Sequence, residues 1–107
     1  MPVTTLELIR ETRALLTPDG AWMQGAYNNS PTNPSEATCF CLSGALHHVH
    51  GPHNYDGRCT HLVVQRYIQM PIPSWNDEPG RTQSEILSLL DKVEADLVEK
   101  ARLSEYR

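Results

Sequence analysis

Apolar residues in the C-terminal part of the chain recur with the spacing of an amphipathic helix. They lie at positions i, i+3, i+4, i+7 and i+11, and they are Ile86, Leu89, Leu90, Val93 and Leu97. This spacing places them on one face of an α-helix. Thr82 and Glu85 precede them in a capping-box pattern, in which each side chain accepts from the backbone N–H of the other residue. The pattern predicts a long helix that begins near Thr82.

Two further helices are predicted in the N-terminal half of the chain. A capping-box pattern at Thr4 and Glu7 precedes apolar residues at helical spacing, and the turn residues 17–20 end this helix. Ser35 is a suitable N-cap for a second helix over residues 35–50. The Gly-Pro pair that follows cannot extend this second helix.

A shorter helix over residues 60–70 completes the predicted set, because Pro71 and Pro73 prevent its continuation. Residues 21–35 and 74–82 have the turn-forming and aromatic composition of ordered loops. Both loops follow predicted helix ends, so they are candidates for a shared surface at one end of a helical bundle.

The expected fold class is all-α, because no segment shows the alternation of a strand. We expect a compact bundle of about four helices with two ordered loops. The 107 residues suffice for a single helical domain over 1–107. We expect the tail after about residue 103 to be frayed, as chain ends often are.

Composition narrows the kind of partner that the chain can bind. The net charge is −4 and the nine basic residues are scattered, whereas nucleic-acid binding needs clustered positive charge. No apolar run approaches the about 18 residues of a membrane span, and the N-terminus lacks signal-peptide features. Three cysteines are an odd number, which suits a reducing compartment. We therefore expect a cytoplasmic monomer or homodimer with no membrane and no direct nucleic-acid partner.

Cysteines and histidines between residues 39 and 61 raise the possibility of metal or thiol chemistry. Cys39 and Cys41 point about 200° apart on a regular helix, so they cannot easily hold one ion. The better-placed zinc candidates are Cys41, His48, Cys59 and His61, although no standard zinc spacing is matched. The alternatives are buried structural cysteines with solvated histidines, and an enzyme that uses Cys59 with His61. No other cofactor is indicated.

The two predicted loops combine tryptophans with polar side chains. A structural role explains part of this pattern, since the Pro-Gly pair fits a type II turn and Thr82 caps a helix. Arg81 beside Trp75 at a helix N-terminus would also suit an anion. The candidate binding residues are Trp22, Gln24, Trp75, Asn76, Asp77, Arg81 and Thr82.

Three motifs in this order carry a resemblance to a known family. They occupy residues 22–26, 39–46 and 75–87. They are similar to the patterns W-T-Q-G-A, C-W-C-x-x-G-A-L and W-N-D-x-P-G-R-T-x-x-E-V-L of a small uncharacterised domain family of bacteria, notably actinobacteria, and their phages. Met23 stands where that family usually has Thr, and Phe40 replaces its Trp. The resemblance implies that the three motifs belong together, and it implies no known activity.

These observations favour a small non-enzymatic binding or inhibitory protein. It would bind a host protein or a small anionic ligand through the loops of Trp22, Trp75 and Arg81. The occurrence of the resembling family in phages implies a phage-encoded role in host–phage interference, as an anti-defence inhibitor. The alternatives are a zinc-stabilised helical module that uses residues 41–61, and a Cys/His-dependent enzyme. A complete catalytic set is not visible in the sequence.

Overall fold

The computed structural model describes residues 4–30, 32–50 and 58–104. Five α-helices lie within them, and no β-strand does. In chain order the helices are α1 (Thr5–Leu16), α2 (Leu42–His50), α3 (Arg58–Gln65), α4 (Ile72–Asn76) and α5 (Gln83–Ser104), with a short 3-10 turn at Pro34–Glu36 before α2. The all-α prediction is confirmed, and the short helix α4 is added to the four predicted helices.

Helix α1 begins at the predicted capping box. Thr4 Oγ1 accepts a hydrogen bond from the Glu7 backbone N–H at 3.1 Å. This bond satisfies one of the N–H groups that the first turn of a helix leaves free. The helix ends at Leu16, directly before the predicted turn residues. Its buried side chains are Leu8, Ile9, Thr12 and Leu16.

Helix α5 also begins at its predicted cap. Thr82 Oγ1 accepts from the Glu85 N–H at 3.2 Å, and Glu85 Oε1 accepts from the Thr82 N–H at 3.2 Å. These reciprocal bonds complete the capping box. Ile86, Leu90 and Val93 are fully buried, as their helical spacing predicts.

Helices α1 and α5 pack side by side in antiparallel directions. Arg10 Nε lies 2.8 Å from Glu94 Oε2, and Arg13 Nη2 donates to Asp91 Oδ2 at 3.2 Å. Exposed ion pairs of this kind contribute at most about 1 kcal/mol each. Apolar burial between the two helices is therefore the main source of their association.

Helix α2 begins at Leu42, so the predicted start at Ser35 is wrong. The residues before α2 form long-range backbone bonds instead of helical ones. The Phe40 N–H donates to Ala21 O at 2.8 Å, and the Cys41 N–H donates to Tyr27 O at 3.1 Å. These bonds hold the segment before α2 extended, and local sequence pattern does not reveal partners so distant along the chain.

The region between α3 and α5 also differs from its prediction. Helix α3 covers Arg58–Gln65 rather than residues 60–70, and turns follow it. Helix α4 then occupies residues that were predicted as a proline-rich break and the start of a loop. Pro71 precedes the helix, and Pro73 lies in its first turn, where a proline removes no intrahelical hydrogen bond. The prolines therefore end one helix and begin another.

The hydrophobic core draws on all five helices and on the extended residue before α2. Its buried members are Ile9, Leu16, Phe40, Leu42, Ala45, Leu46, Val64, Ile68, Ile72, Ile86, Leu90 and Val93. Trp22 and Trp75 are partly buried against this core. The candidate loops are therefore attached to the core by their aromatic side chains. Among the helices described here, none combines the length and the hydropathy that crossing a bilayer requires.

Candidate functional site

The structure brings the two predicted loops into contact. The indole Nε1 of Trp22 donates to Asn76 Oδ1 at 2.6 Å. The Gln24 side-chain amide donates to the carbonyl oxygens of Asn76 and Glu78, each at 3.0 Å. These residues are 52 to 54 positions apart in the chain. The contact joins the segment before α2 to α4 and the turn that follows it.

Asn76 is the centre of this contact, and it is fully buried. Its Oδ1 accepts from the Leu42 N–H at 2.9 Å in addition to the Trp22 indole. Its Nδ2 donates to Met23 O at 3.0 Å and to Asp77 Oδ1 at 2.9 Å. An amide offers two donors and two acceptor lone pairs, so all four are used. One side chain therefore fixes the loop, the start of α2 and α4 relative to one another.

Asp77 adds a second connection beside Asn76. Its Oδ1 accepts from the Gly25 backbone N–H at 3.0 Å. Gly25 has a φ of 87°, a conformation that glycine adopts without the steric cost of a Cβ. Asp77 is nevertheless an exposed residue. We refer to the four residues Trp22, Gln24, Asn76 and Asp77 as the Asn76 clamp.

Arg81 and Trp75 form a second, adjoining contact. The guanidinium carbon of Arg81 lies 3.9 Å from the centroid of the Trp75 ring, in a cation–π arrangement. Arg81 Nε donates to Trp75 O at 3.0 Å, and Nη1 donates to Glu85 Oε2 at 2.7 Å. The hydrogen bond from Arg81 lowers the pKa of Glu85. Thr82 caps α5, so this part of the predicted site has a structural role at the helix start.

The predicted binding residues are thus near one another, but most of their polar groups bond to the protein itself. The side chains of Trp22, Gln24 and Asn76 close the clamp, and Arg81 is held between Trp75 and a glutamate. The motif resemblance implied that these residues belong together. It did not predict their mutual bonding, because contacts across half the chain leave no local pattern.

Cys41 acts as the N-cap of α2 from a buried position. Its Sγ accepts from the Gly44 N–H at 3.2 Å, and the residue is 3 % exposed. Burial raises the pKa of the Cys41 thiol, although backbone N–H groups at the helix start oppose this shift. A protonated, buried thiol is a poor nucleophile. The Sγ of the half-buried Cys39 lies 3.6 Å from Met23 Sδ, a packing contact between two polarisable sulfurs.

The described candidates for zinc binding lie in different surroundings. Cys41 caps α2, His48 packs on a phenylalanine ring at a centroid distance of 4.7 Å, and the ring of His61 lies 4.7 Å from that of His47. The Cys59 side chain lies outside the described residues. Within the described ones, no group of three or more His, Cys, Asp or Glu side chains is placed to hold a metal ion. The zinc module and the Cys59–His61 enzyme remain predictions.

Tyr27, which was not among the predicted binding residues, is 58 % exposed beside the clamp. Tyr27 lines two hollows, one of about 170 Å³ and one of about 300 Å³. Gly44 allows α2 to approach this loop, since a Cβ at that position would lie 2.0 Å from Tyr27 O. A glycine inside a predicted helix was the available signal, because such a glycine often marks a close approach of backbone.

The fold and the clamp define a small all-α protein in which a buried asparagine holds an exposed loop against a short helix. The chain belongs to the DUF6197 family, a family of unknown function, whose model matches residues 1–96. The predicted membership in an uncharacterised domain family is thereby confirmed. Neither a curated protein nor a solved structure matched the chain.

Proposed function

We propose that this chain is a small non-enzymatic binding protein that docks on a partner protein through the surface around Tyr27. The observation that carries this proposal is the Asn76 clamp, in which a fully bonded, buried amide fixes the position of an exposed loop. A loop that is fixed before association loses less conformational freedom when it binds. Tyrosine is also enriched among the residues that dominate binding energy at protein interfaces.

A partner protein suits this surface better than a small anion at Arg81. The Arg81 side chain is 17 % exposed, and its Nε and Nη1 already donate to Trp75 O and to Glu85. An anion at this position would compete with the Glu85 carboxylate. Docking on the exposed residues Tyr27, Gln24 and Asp77 requires no such displacement. We therefore propose that the partner contacts the exposed residues Tyr27, Gln24 and Asp77, rather than the two tryptophans and Arg81 that the sequence suggested.

More specifically, we propose that the protein is an inhibitor that acts in the cytoplasm of a bacterial host during host–phage interference. The resemblance to proteins of bacteria and their phages supports the setting. The free thiols of Cys39 and Cys41 are compatible with a reducing compartment. An acidic chain with net charge −4 would be steered toward a basic surface on its target.

Site-specific photo-crosslinking tests the docking surface directly. A benzophenone amino acid is placed at Tyr27, and in a matched variant at Leu103, which is 57 % exposed on α5. Both variants are expressed in the bacterial host and irradiated. We expect a discrete host protein to crosslink from position 27 and not from position 103, and excess wild-type chain to suppress the adduct. Equal products from both positions, or none from position 27, would overturn the proposal.

A further inference from the structure

The larger hollow beside Tyr27 has the composition of a binding site for a flat ligand. It has a volume of about 300 Å³. Its lining residues are Tyr27, Asn28, Phe40, Gly44, His47 and His48. Small-molecule sites in proteins occupy about 300–1,000 Å³, so this hollow suits a ligand of one or two rings.

Four aromatic or imidazole rings from the described part of the chain line the hollow. The Tyr27 and His47 rings are 6.5 Å apart between centroids at an interplanar angle of 81°. The Phe40 and His48 rings are 4.7 Å apart at 45°. Phe40 is 1 % exposed, so it is anchored in the core, whereas Tyr27 and both histidines are exposed. This combination offers a planar ligand both a stacking face and an edge-on contact.

Charge around the hollow favours an anion over a cation. None of its described lining residues is acidic, although the chain as a whole has a net charge of −4. Among the described residues, the ionisable groups that face His47 are the Tyr27 phenol across the hollow and the His61 imidazole from α3, and His61 in turn faces His50. An imidazole either donates an N–H or becomes cationic, and both forms attract a carboxylate.

We propose that this hollow binds an aromatic carboxylate of one or two rings, with the ring between Tyr27 and His48 and the carboxylate at the imidazoles. The proposal goes beyond docking of a partner protein and does not depend on it. If the protein does not bind the ligand but still crosslinks from position 27, only the ligand site is refuted. If it binds the ligand but does not crosslink, only the docking surface is refuted.

A charge series of otherwise similar probes tests this inference. Benzoate, benzamide and benzylamine are titrated separately into ¹⁵N-labelled protein at pH 6.0 and constant ionic strength, with two-dimensional NMR as the readout. We expect benzoate to shift the amide resonances of Tyr27, Gly44 and His48 saturably. Benzylamine should bind at least about tenfold more weakly, which corresponds to about 1.4 kcal/mol. Equal affinity of benzoate and benzylamine, or no saturable shift at all, would overturn the proposal.

Two variants locate the binding site. A double substitution, His47→Gln with His48→Gln, should weaken benzoate at least tenfold more than benzamide, because benzamide loses only the ring contact with His48. The matched control is Arg10→Gln, since Arg10 and Arg13 are cationic and line a separate groove between α1 and α5. Benzoate binding that survives the histidine substitutions and is lost with Arg10→Gln would refute the assignment. Circular dichroism confirms that each variant is folded.

Discussion

Replacing Asn76 with alanine removes the centre of the clamp while leaving the helices and the core side chains unchanged. Three groups then lose a hydrogen-bond partner inside the protein: the Trp22 indole N–H, the Leu42 backbone N–H and the Met23 carbonyl. The fourth partner, the Asp77 carboxylate, is on an exposed residue and can be hydrated instead. The effect of Asn76→Ala is therefore decided by the three groups that are buried or half-buried.

Each buried polar group left without a partner costs about 1–3 kcal/mol. Leu42 is fully buried, whereas Trp22 and Met23 are half-buried and water will compensate part of their loss. We therefore expect Asn76→Ala to lower the free energy of unfolding by about 3–5 kcal/mol. Domains of ordinary stability unfold with about 5–15 kcal/mol, so the loss is a large fraction of the total.

Urea unfolding followed by circular dichroism measures this loss. The matched control is Asn29→Ala, because Asn29 also bonds through both ends of its amide, to Thr38 and Cys39, but at an exposed position. Water replaces exposed bonds, so the control should cost about 1 kcal/mol or less. When Trp22 is already replaced by Phe, Asn76→Ala should lower the free energy of unfolding by about 1 kcal/mol less than it does in the wild type. The reason is that the indole donor is then absent in both proteins that are compared. Equal losses for Asn76→Ala and Asn29→Ala would refute this reasoning.

Three further predictions follow from individual contacts. Gly44→Ala should lower the free energy of unfolding by about 1–3 kcal/mol, because the added Cβ would clash with Tyr27 O. This loss should exceed the gain from the better helix propensity of alanine. Unchanged or increased stability in urea would contradict the prediction. Burial, with repulsion from a neighbouring imidazole, lowers the pKa of His47 below its ordinary 6.5. The folded state thus favours the neutral ring, so stability should fall as pH drops below about 6.5, and less steeply in His47→Gln; equal slopes would count against it. Iodoacetamide should label Cys39 before Cys41 in the native protein, because burial raises the pKa of the Cys41 thiol; equal rates by peptide mass spectrometry would disagree.

The parts of the fold that sequence predicted best are those set by local interactions. The caps at Thr4 and Thr82 and the apolar stripe of α5 involve residues within a few positions of each other, so their pattern is visible in the chain. The start of α2 was misplaced because the backbone N–H groups of Phe40 and Cys41 donate to Ala21 and Tyr27, which lie 19 and 14 positions earlier. Distant backbone bonds of this kind override local helix propensity.

In the candidate site, too, local sequence indicates some features, whereas the contacts between distant residues are not visible in it. The motif resemblance placed Trp22, Gln24, Asn76 and Asp77 in one group, and the structure brings these residues into contact. Their role was not predictable, because a buried asparagine with four bonds has the same local sequence as an exposed asparagine in a turn. Tyr27 was not included among the predicted binding residues, because an exposed tyrosine in a loop has no distinguishing local pattern until the hollows that it lines are known.

Hydrogen exchange of the Trp22 indole N–H tests the clamp most directly. The chain has two tryptophans, so ¹⁵N NMR resolves their indole resonances, and Trp22→Phe assigns them. If Asn76 accepts this proton in a closed clamp, exchange should be at least about 100-fold slower than in free tryptophan, because the clamp must open first. The protection should disappear in Asn76→Ala. Exchange of the wild-type Trp22 indole at the rate of free tryptophan would contradict the clamp, and with it the fixed loop on which the proposed binding surface depends.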